Sequence, residues 1–167
     1  FELGMATKYI DDLRSNVLRG NRERLERGWL THNPPLGYLL DPVSKHIVKD
    51  PERFDQVRRM WDLLLTQGMR PDAICRHLRR TGFRTRQFKR VGGGPLTRAA
   101  VYKILGNPFY MGVIRLRDGR TYPGAHPPMI SRNEFEDAQR VLGRTMRPRP
   151  QKHAFPYVGL IRCGGCG

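Results

Sequence analysis

Three groups of residues in this 167-residue chain have types and spacings that can do chemistry. The first is Cys163-Gly164-Gly165-Cys166, half of a zinc knuckle: structural zinc takes four ligands, and no second pair follows. His153 and Cys75 are the remaining candidates to complete a tetrahedron, although Cys75 beside Ile74 also reads as a small buried hydrophobe. The second group is the hydroxyl nucleophiles Ser15, Ser44 and Ser131. Each has a structural reading, on a charged helix face, in a turn and at a helix start, so no catalytic residue is assigned. The third group is cationic. Lys and Arg number 31 against 15 Asp and Glu, for a formal charge of +16 and a pI near 10.8.

A field of that sign draws polyanions, either nucleic acid or an acidic membrane surface. No stretch approaches the roughly 20 apolar residues of a membrane span, and no signal-peptide pattern is present, which favours nucleic acid. Most of the cations are arginine, whose planar fork matches phosphates and guanine edges better than an ammonium does. They fall in groups: Arg22, Arg24 and Arg27; Arg76, Arg79 and Arg80; Arg84, Arg86, Lys89 and Arg90; Arg98 and Lys103 with Thr97 and Tyr102; Arg147 and Arg149. All of these are candidate DNA contacts. Three cysteines make no disulfide framework, and a reducing, cytoplasmic setting is expected.

The elements that must position these groups follow from spacing. Pro95 to Asn107 predicts a short helix: Thr97 caps it, Leu96 and Val101 have staple spacing, and Val101, Ile104 and Leu105 form an apolar stripe. Arg98, Tyr102 and Lys103 are left on the polar side, the arrangement of a reading helix for the major groove. Before it, Arg70-Pro71-Asp72 starts a helix with Ile74, Cys75 and Leu78 inward and Arg76, Arg79 and Arg80 outward. The loop from Phe83 to Pro95 puts four cations ahead of three glycines, as a segment that orders on a phosphate backbone would. Its length makes the helix pair a variant, at most, of helix-turn-helix.

Elsewhere, Leu3, Ile10 and Val17 at seven-residue spacing, with Ala6 and Leu13 between, predict a long leading helix that turns basic after Arg14. Its apolar seam suits a partner helix, and Gly28 and Asn33-Pro34-Pro35 end it. Trp29 is expected to anchor the start of the next domain. Gly37 to Asp50 reads as a hairpin, and Asp50-Pro51 as the cap and first position of a core helix carrying Phe54, Val57, Met60, Trp61, Leu64 and Leu65. A second hairpin runs from Val113 through Asp118-Gly119. Ser131 and Glu134 have capping-box spacing for a last helix with Phe135, Ala138, Val141 and Leu142 inward. The fold class is α+β, mainly helical: a small DNA-binding domain with helix-turn-helix-like helices and short hairpins, preceded by a long connector helix.

The order of these signals resembles that of the large serine recombinases. The resemblance rests on Arg27-Gly28-Trp29, Pro35-Leu36-Gly37-Tyr38, Asp50-Pro51, Gly68, Thr81-Gly82-Phe83-Arg84-Thr85-Arg86, Leu96-Thr97 ahead of Asn107-Pro108, Tyr110-Met111-Gly112, and His126 before Ile130-Ser131. It continues through Tyr157-Val158-Gly159-Leu160-Ile161-Arg162-Cys163 to Cys166-Gly167. It implies that residues 1–28 end the helix leaving a catalytic domain, 29–36 are a linker, 37–147 are the DNA-binding recombinase domain, 148–156 are a basic linker, and 157–167 begin a zinc ribbon. The family's serine attacks a phosphodiester with the help of clustered arginines; that motif is not in this chain, which is expected to bind DNA without cutting it. Zinc is expected in the intact parent, while Cys163 and Cys166 alone form a half site without metal. Implied partners are a double-stranded attachment site, the catalytic and zinc-ribbon domains, and further copies on DNA. Arg22 to Pro35 is a candidate to cross the minor groove, or else a solvated helix end. A transcriptional regulator without a catalytic partner is the alternative; an RNA module is disfavoured because the few aromatics form no stacking set.

Overall fold

The computed structural model describes residues 2–87 and 92–143, with backbone only for 2–7. Lys89, Arg90, Arg147, Arg149, His153, Cys163 and Cys166, together with the expected basic linker and zinc-ribbon start, lie outside the described residues.

The chain runs α1 (Glu2–Glu26), β1 (Tyr38–Leu40), β2 (Ile47–Lys49), α2 (Phe54–Leu65), α3 (Pro71–Arg80), α4 (Arg98–Leu105), a 3-10 turn (Pro108–Met111), β3 (Val113–Arg115), β4 (Thr121–Pro123) and α5 (Arg132–Val141). The two hairpins are separate antiparallel pairs, with Leu39 opposite Val48 and Ile114 opposite Tyr122. This is the mainly helical α+β class that the residue patterns predict.

Tyr38 organises the core. It is almost fully buried, with edge-on ring contacts to Phe54, Phe109 and His126, and its hydroxyl donates to the Pro127 carbonyl at 2.8 Å. Tyr110 is equally buried and donates to the Leu36 carbonyl at 2.8 Å, so two phenols tie the segment after α1 to the rest of the domain. Burial pushes both phenols well above the ordinary tyrosine range, so both remain donors at any physiological pH. Trp61 of α2, fully buried, packs against Tyr110 and Phe135, joining α2 to α5. Each such aromatic pair contributes about 0.5–1.5 kcal/mol beyond its buried area.

Caps formed largely as their spacing requires. Thr97 accepts from the Ala100 N–H, and the Ser131–Glu134 box is reciprocal. Asn107 caps the 3-10 turn by accepting from the Phe109 N–H, and Gly112 ends that turn at φ 88°, in the left-handed region that glycine enters without a Cβ penalty. Two expectations need correction. Asp50 does accept from the Glu52 N–H and take the Arg53 guanidinium, but regular helix starts only at Phe54, after a turn over Pro51 to Arg53. Val141 is 59% exposed rather than inward: the chain leaves α5 there, and Leu142 packs on the core in its place.

The end of α1 is seated on the second hairpin. Leu25 is buried, and the Ala125 N–H donates to the Gly28 carbonyl at 2.9 Å. Gly28 has φ 75°, and a Cβ there would lie 2.7 Å from the Ala125 nitrogen, so both conformation and space require glycine. Trp29 meets His46 edge to face at 5.3 Å, the anchoring expected of it. Along α1, Ile10, Leu13 and Val17 are more than half exposed, so the seam has no partner among the described residues.

Candidate nucleic-acid interface

The α3–α4 pair is built from both ends. Pro71 supplies a first position whose missing N–H costs nothing, and Asp72 places a carboxylate in the first turn of α3, where the helix dipole favours it. Ile74, Cys75 and Leu78 are buried, which leaves Arg76, Arg79 and Arg80 on the exposed side. At the join, the Cys75 thiol donates to the Leu96 carbonyl at 3.3 Å and the Arg79 Nε donates to the same oxygen at 2.9 Å. Arg79 is thereby partly committed to holding α3 against the entry of α4. The helices are separated in sequence by a loop closed through an Arg84–Pro95 bridge and a Thr85 N–H to Gly94 carbonyl bond of 2.9 Å. The pair is helix-turn-helix in kind, with a longer connection, closed at its two ends, where a short turn would stand.

On α4 the three stripe residues are buried, and Thr97, Arg98 and Lys103 are exposed while Tyr102 is half-buried. Two concavities flank this helix. One, of about 410 Å³, is bounded by Asn33 to Leu36, by Arg86 and Gly92 of the loop, and by Ala100, Lys103 and Asn107. The other, of about 350 Å³, lies between Tyr102, Lys103, Gly106 and Asn107 and the Arg115 of β3. Lys103 and Asn107 border both. The structure thus brings together the linker, the cationic loop and the polar face of α4, three segments that the sequence reading treated separately.

The cations differ in their partners. Arg98 donates through Nε to Asp72 at 3.0 Å, and its guanidinium carbon lies 5.8 Å from the centre of the Tyr102 ring. Arg84 and Arg86 donate to the Gly93 and Tyr38 carbonyls at 3.4 and 3.3 Å. Arg76, Arg80, Lys103 and Arg115 have no acidic partner among the described residues. At the far end, Arg22 pairs with Glu26 at 2.9 Å, and Arg24 and Arg27 are exposed at the end of α1, Arg27 lying 5.8 Å from the Trp29 ring centre. No hydrogen bond or ion pair among the described residues ties those three to α3 or α4. Asn107 and Arg115 carry no spacing signal for a nucleic-acid contact, while Asn33 falls within the Arg22 to Pro35 candidate. Spacing marks Asn107 as a helix stop and Arg115 as a strand residue; the groove they share forms only where β3 folds back beside the end of α4.

His126 is buried, stacked on Phe109 at 3.7 Å, and hydrogen-bonded through Nε2 to the Phe109 carbonyl at 2.7 Å. Burial pulls its pKa below the usual histidine value, the Phe109 bond opposing the shift. It is a neutral core group rather than a phosphate contact.

Fold and surface together define a basic α+β module built around a variant helix-turn-helix pair. The Recombinase family model matches residues 51–145, so the chain belongs to that family, and the likeness to large serine recombinases read from its motifs is shown. Two solved structures share the fold. A chain from a crystal structure of an LSR–DNA complex is 22% identical with a TM-score of 0.60, the match covering 77% of this chain and 38% of that one. A chain from a study of the sequence requirements of the Listeria innocua prophage attP site is 21% identical with a TM-score of 0.60, covering 77% and 52%. This chain therefore spans between about two-fifths and half the length of those proteins. No curated protein matches. Among the described residues, no helix is long and apolar enough to cross a membrane and no cluster of His, Cys, Asp and Glu could hold a metal ion.

Proposed function

We propose that this chain is the DNA-recognising region of a large serine site-specific recombinase. In this reading residues 37–147 bind an attachment half-site, 29–36 link them to 1–28, and α1 carries a catalytic domain over the crossover point. Strand cleavage by the family's phosphoserine chemistry belongs to that catalytic domain, and the region here binds without cutting. The observation that carries the reading is the set of exposed cations without acidic partners among the described residues, Arg76 and Arg80 on α3, Lys103 on α4 and Arg115 on β3, with Lys103 and Arg115 lining concavities beside α4. The exposed apolar seam of α1 supports assembly with further copies on DNA. For zinc, Cys163 and Cys166 offer two thiolates where a structural site takes four, so metal belongs to the intact parent and this chain carries well under one zinc.

The test is a salt series. Fluorescence anisotropy of the chain on duplex DNA is expected to show affinity falling by about three to five decades between about 50 and 200 mM salt, as roughly six to ten phosphate contacts release their counterions. A flat response overturns the reading.

A further inference from the structure

Arg98 is the first residue of α4, and the Thr97 cap fixes where its Cα stands. Its side chain is 69% exposed, yet held from two sides: Nε donates to Asp72 Oδ1 at 3.0 Å, and the guanidinium carbon sits 5.8 Å from the Tyr102 ring centre, one helical turn along. The bond to Asp72 uses the inner nitrogen. The two terminal amino groups, the ones that can form parallel bonds to a second acceptor pair, have no acidic partner among the described residues.

Such a pair is weakly stabilising where it stands. Exposed ion pairs contribute about 0–1 kcal/mol, and α3 is already fixed to α4 by the Cys75 and Arg79 bonds to the Leu96 carbonyl. A carboxylate on this face also repels phosphates, so it works against indiscriminate DNA binding. A cost to general affinity with little return in stability is what a specificity device looks like.

From this we infer that Asp72 is a positioning residue that pre-sets the Arg98 fork for a guanine edge. The inference rests on the DNA-binding reading above. Guanine offers O6 and N7 side by side in the major groove, the acceptor pair that a guanidinium meets with two parallel bonds. A free arginine must freeze its side-chain rotations to reach that geometry, and one already held through Nε has less freedom to lose. Lysine at the same position would keep the charge but has no fork, and asparagine at position 72 would keep the size of Asp72 but lose the charge that holds the guanidinium.

The experiment passes a random-sequence duplex library over the 167-residue chain, over D72N and over R98K, and sequences the retained pools. Anisotropy on unselected duplex and melting temperatures are measured in parallel. The wild-type pool is expected to show a guanine preference that D72N weakens by about tenfold at that one position, the scale of one bidentate contact. R98K should lose the same position, while D72N binds unselected duplex as tightly as the wild type or more so, with a melting temperature lowered by no more than a few degrees, as loss of a first-turn carboxylate and an exposed pair requires. A D72N pool with the wild-type preference at every position overturns the positioning role and leaves the DNA-binding reading intact. So does a loss spread evenly over all positions, or one that accompanies loss of the cooperative unfolding transition. A wild-type chain that retains no duplex overturns both.

Discussion

The α5 side of the domain and the α3–α4 side are both rich in arginine and both open to solvent, yet they handle charge in opposite ways. On α5 two arginines stand among three acids, and both are paired within the helix: Arg132 with Glu136 at 2.9 Å and Arg140 with Asp137 at 2.6 Å. Arg58 of α2 reaches across to Glu134 at 2.5 Å while also touching Asp62. On α3 and α4 five cations, Arg76, Arg79, Arg80, Arg98 and Lys103, share one acid, Asp72. Exposure does not separate the two sides, since Arg132 is 82% exposed against 69% for Arg98. Counter-charge does. A paired arginine is close to neutral beyond a Debye length of about 8 Å, whereas an unpaired group adds to a field that a polyanion feels.

The comparison breaks most visibly by removing charge from one side at a time. A variant with Arg76, Arg80, Lys103 and Arg115 all changed to Ala is expected to flatten the logarithmic salt slope of DNA binding by about three to four, at roughly 0.9 per lost phosphate contact. It should also weaken binding at low salt by orders of magnitude. A double variant with Arg132→Ala and Arg140→Ala should leave the slope within error. Flattening by the double variant in proportion to the charges removed, about half that of the quadruple variant, would mean that total charge, rather than its unpaired portion, drives binding.

How far the sequence reached follows the same division between local and distant pairing. The Thr97 cap, the Ser131–Glu134 box, the Asn107-Pro108 stop and the Trp61 core position were all legible because each depends on residues within one or two turns. The Asp72–Arg98 pair spans 26 positions, and Arg115 meets the end of α4 only after the 3-10 turn reverses the chain, so no spacing rule points to either. Val141 departs from its expected inward place because periodicity says which side of a helix is apolar, not where the chain leaves it. Arg79 read as an outward cation, and outward it is. Its bond to the Leu96 carbonyl depends on a loop path that the sequence leaves open.

A smaller effect separates the two helix starts. Thr97→Ala and Ser131→Ala each remove a side chain that accepts from a first-turn N–H, and each is expected to cost about 1 kcal/mol in urea unfolding. Only Thr97→Ala should also weaken DNA binding, because it frays the turn that carries Arg98. Equal affinity losses from the two would show that α4 contributes only stability, and would move the candidate contacts to the loop and to α1.

The smallest expected effect tests whether the α5 start, unlike the α4 start, depends on pH. Burial alone would raise the Glu134 carboxyl, but the Ser131 N–H at 2.7 Å and the Arg58 guanidinium both donate to it, and the net result lies below its ordinary value of 4.5. As pH falls through 4.5 the unfolded chain takes up the proton first, so the folded state loses ground. The contribution is therefore complete above about pH 4.5 and drains away as pH drops through the lowered folded value. At the start of α4 the third helical position is Ala100, which has nothing to titrate. In unfolding experiments stepped from pH 6 to 3, the stability difference between wild type and Glu134→Gln should shrink steadily below 4.5, while that between wild type and Thr97→Ala should hold constant. A Glu134→Gln difference that stays fixed over the range would mean that the reciprocal box is held by geometry alone, and that the paired side of the domain draws nothing from the ionised carboxylate.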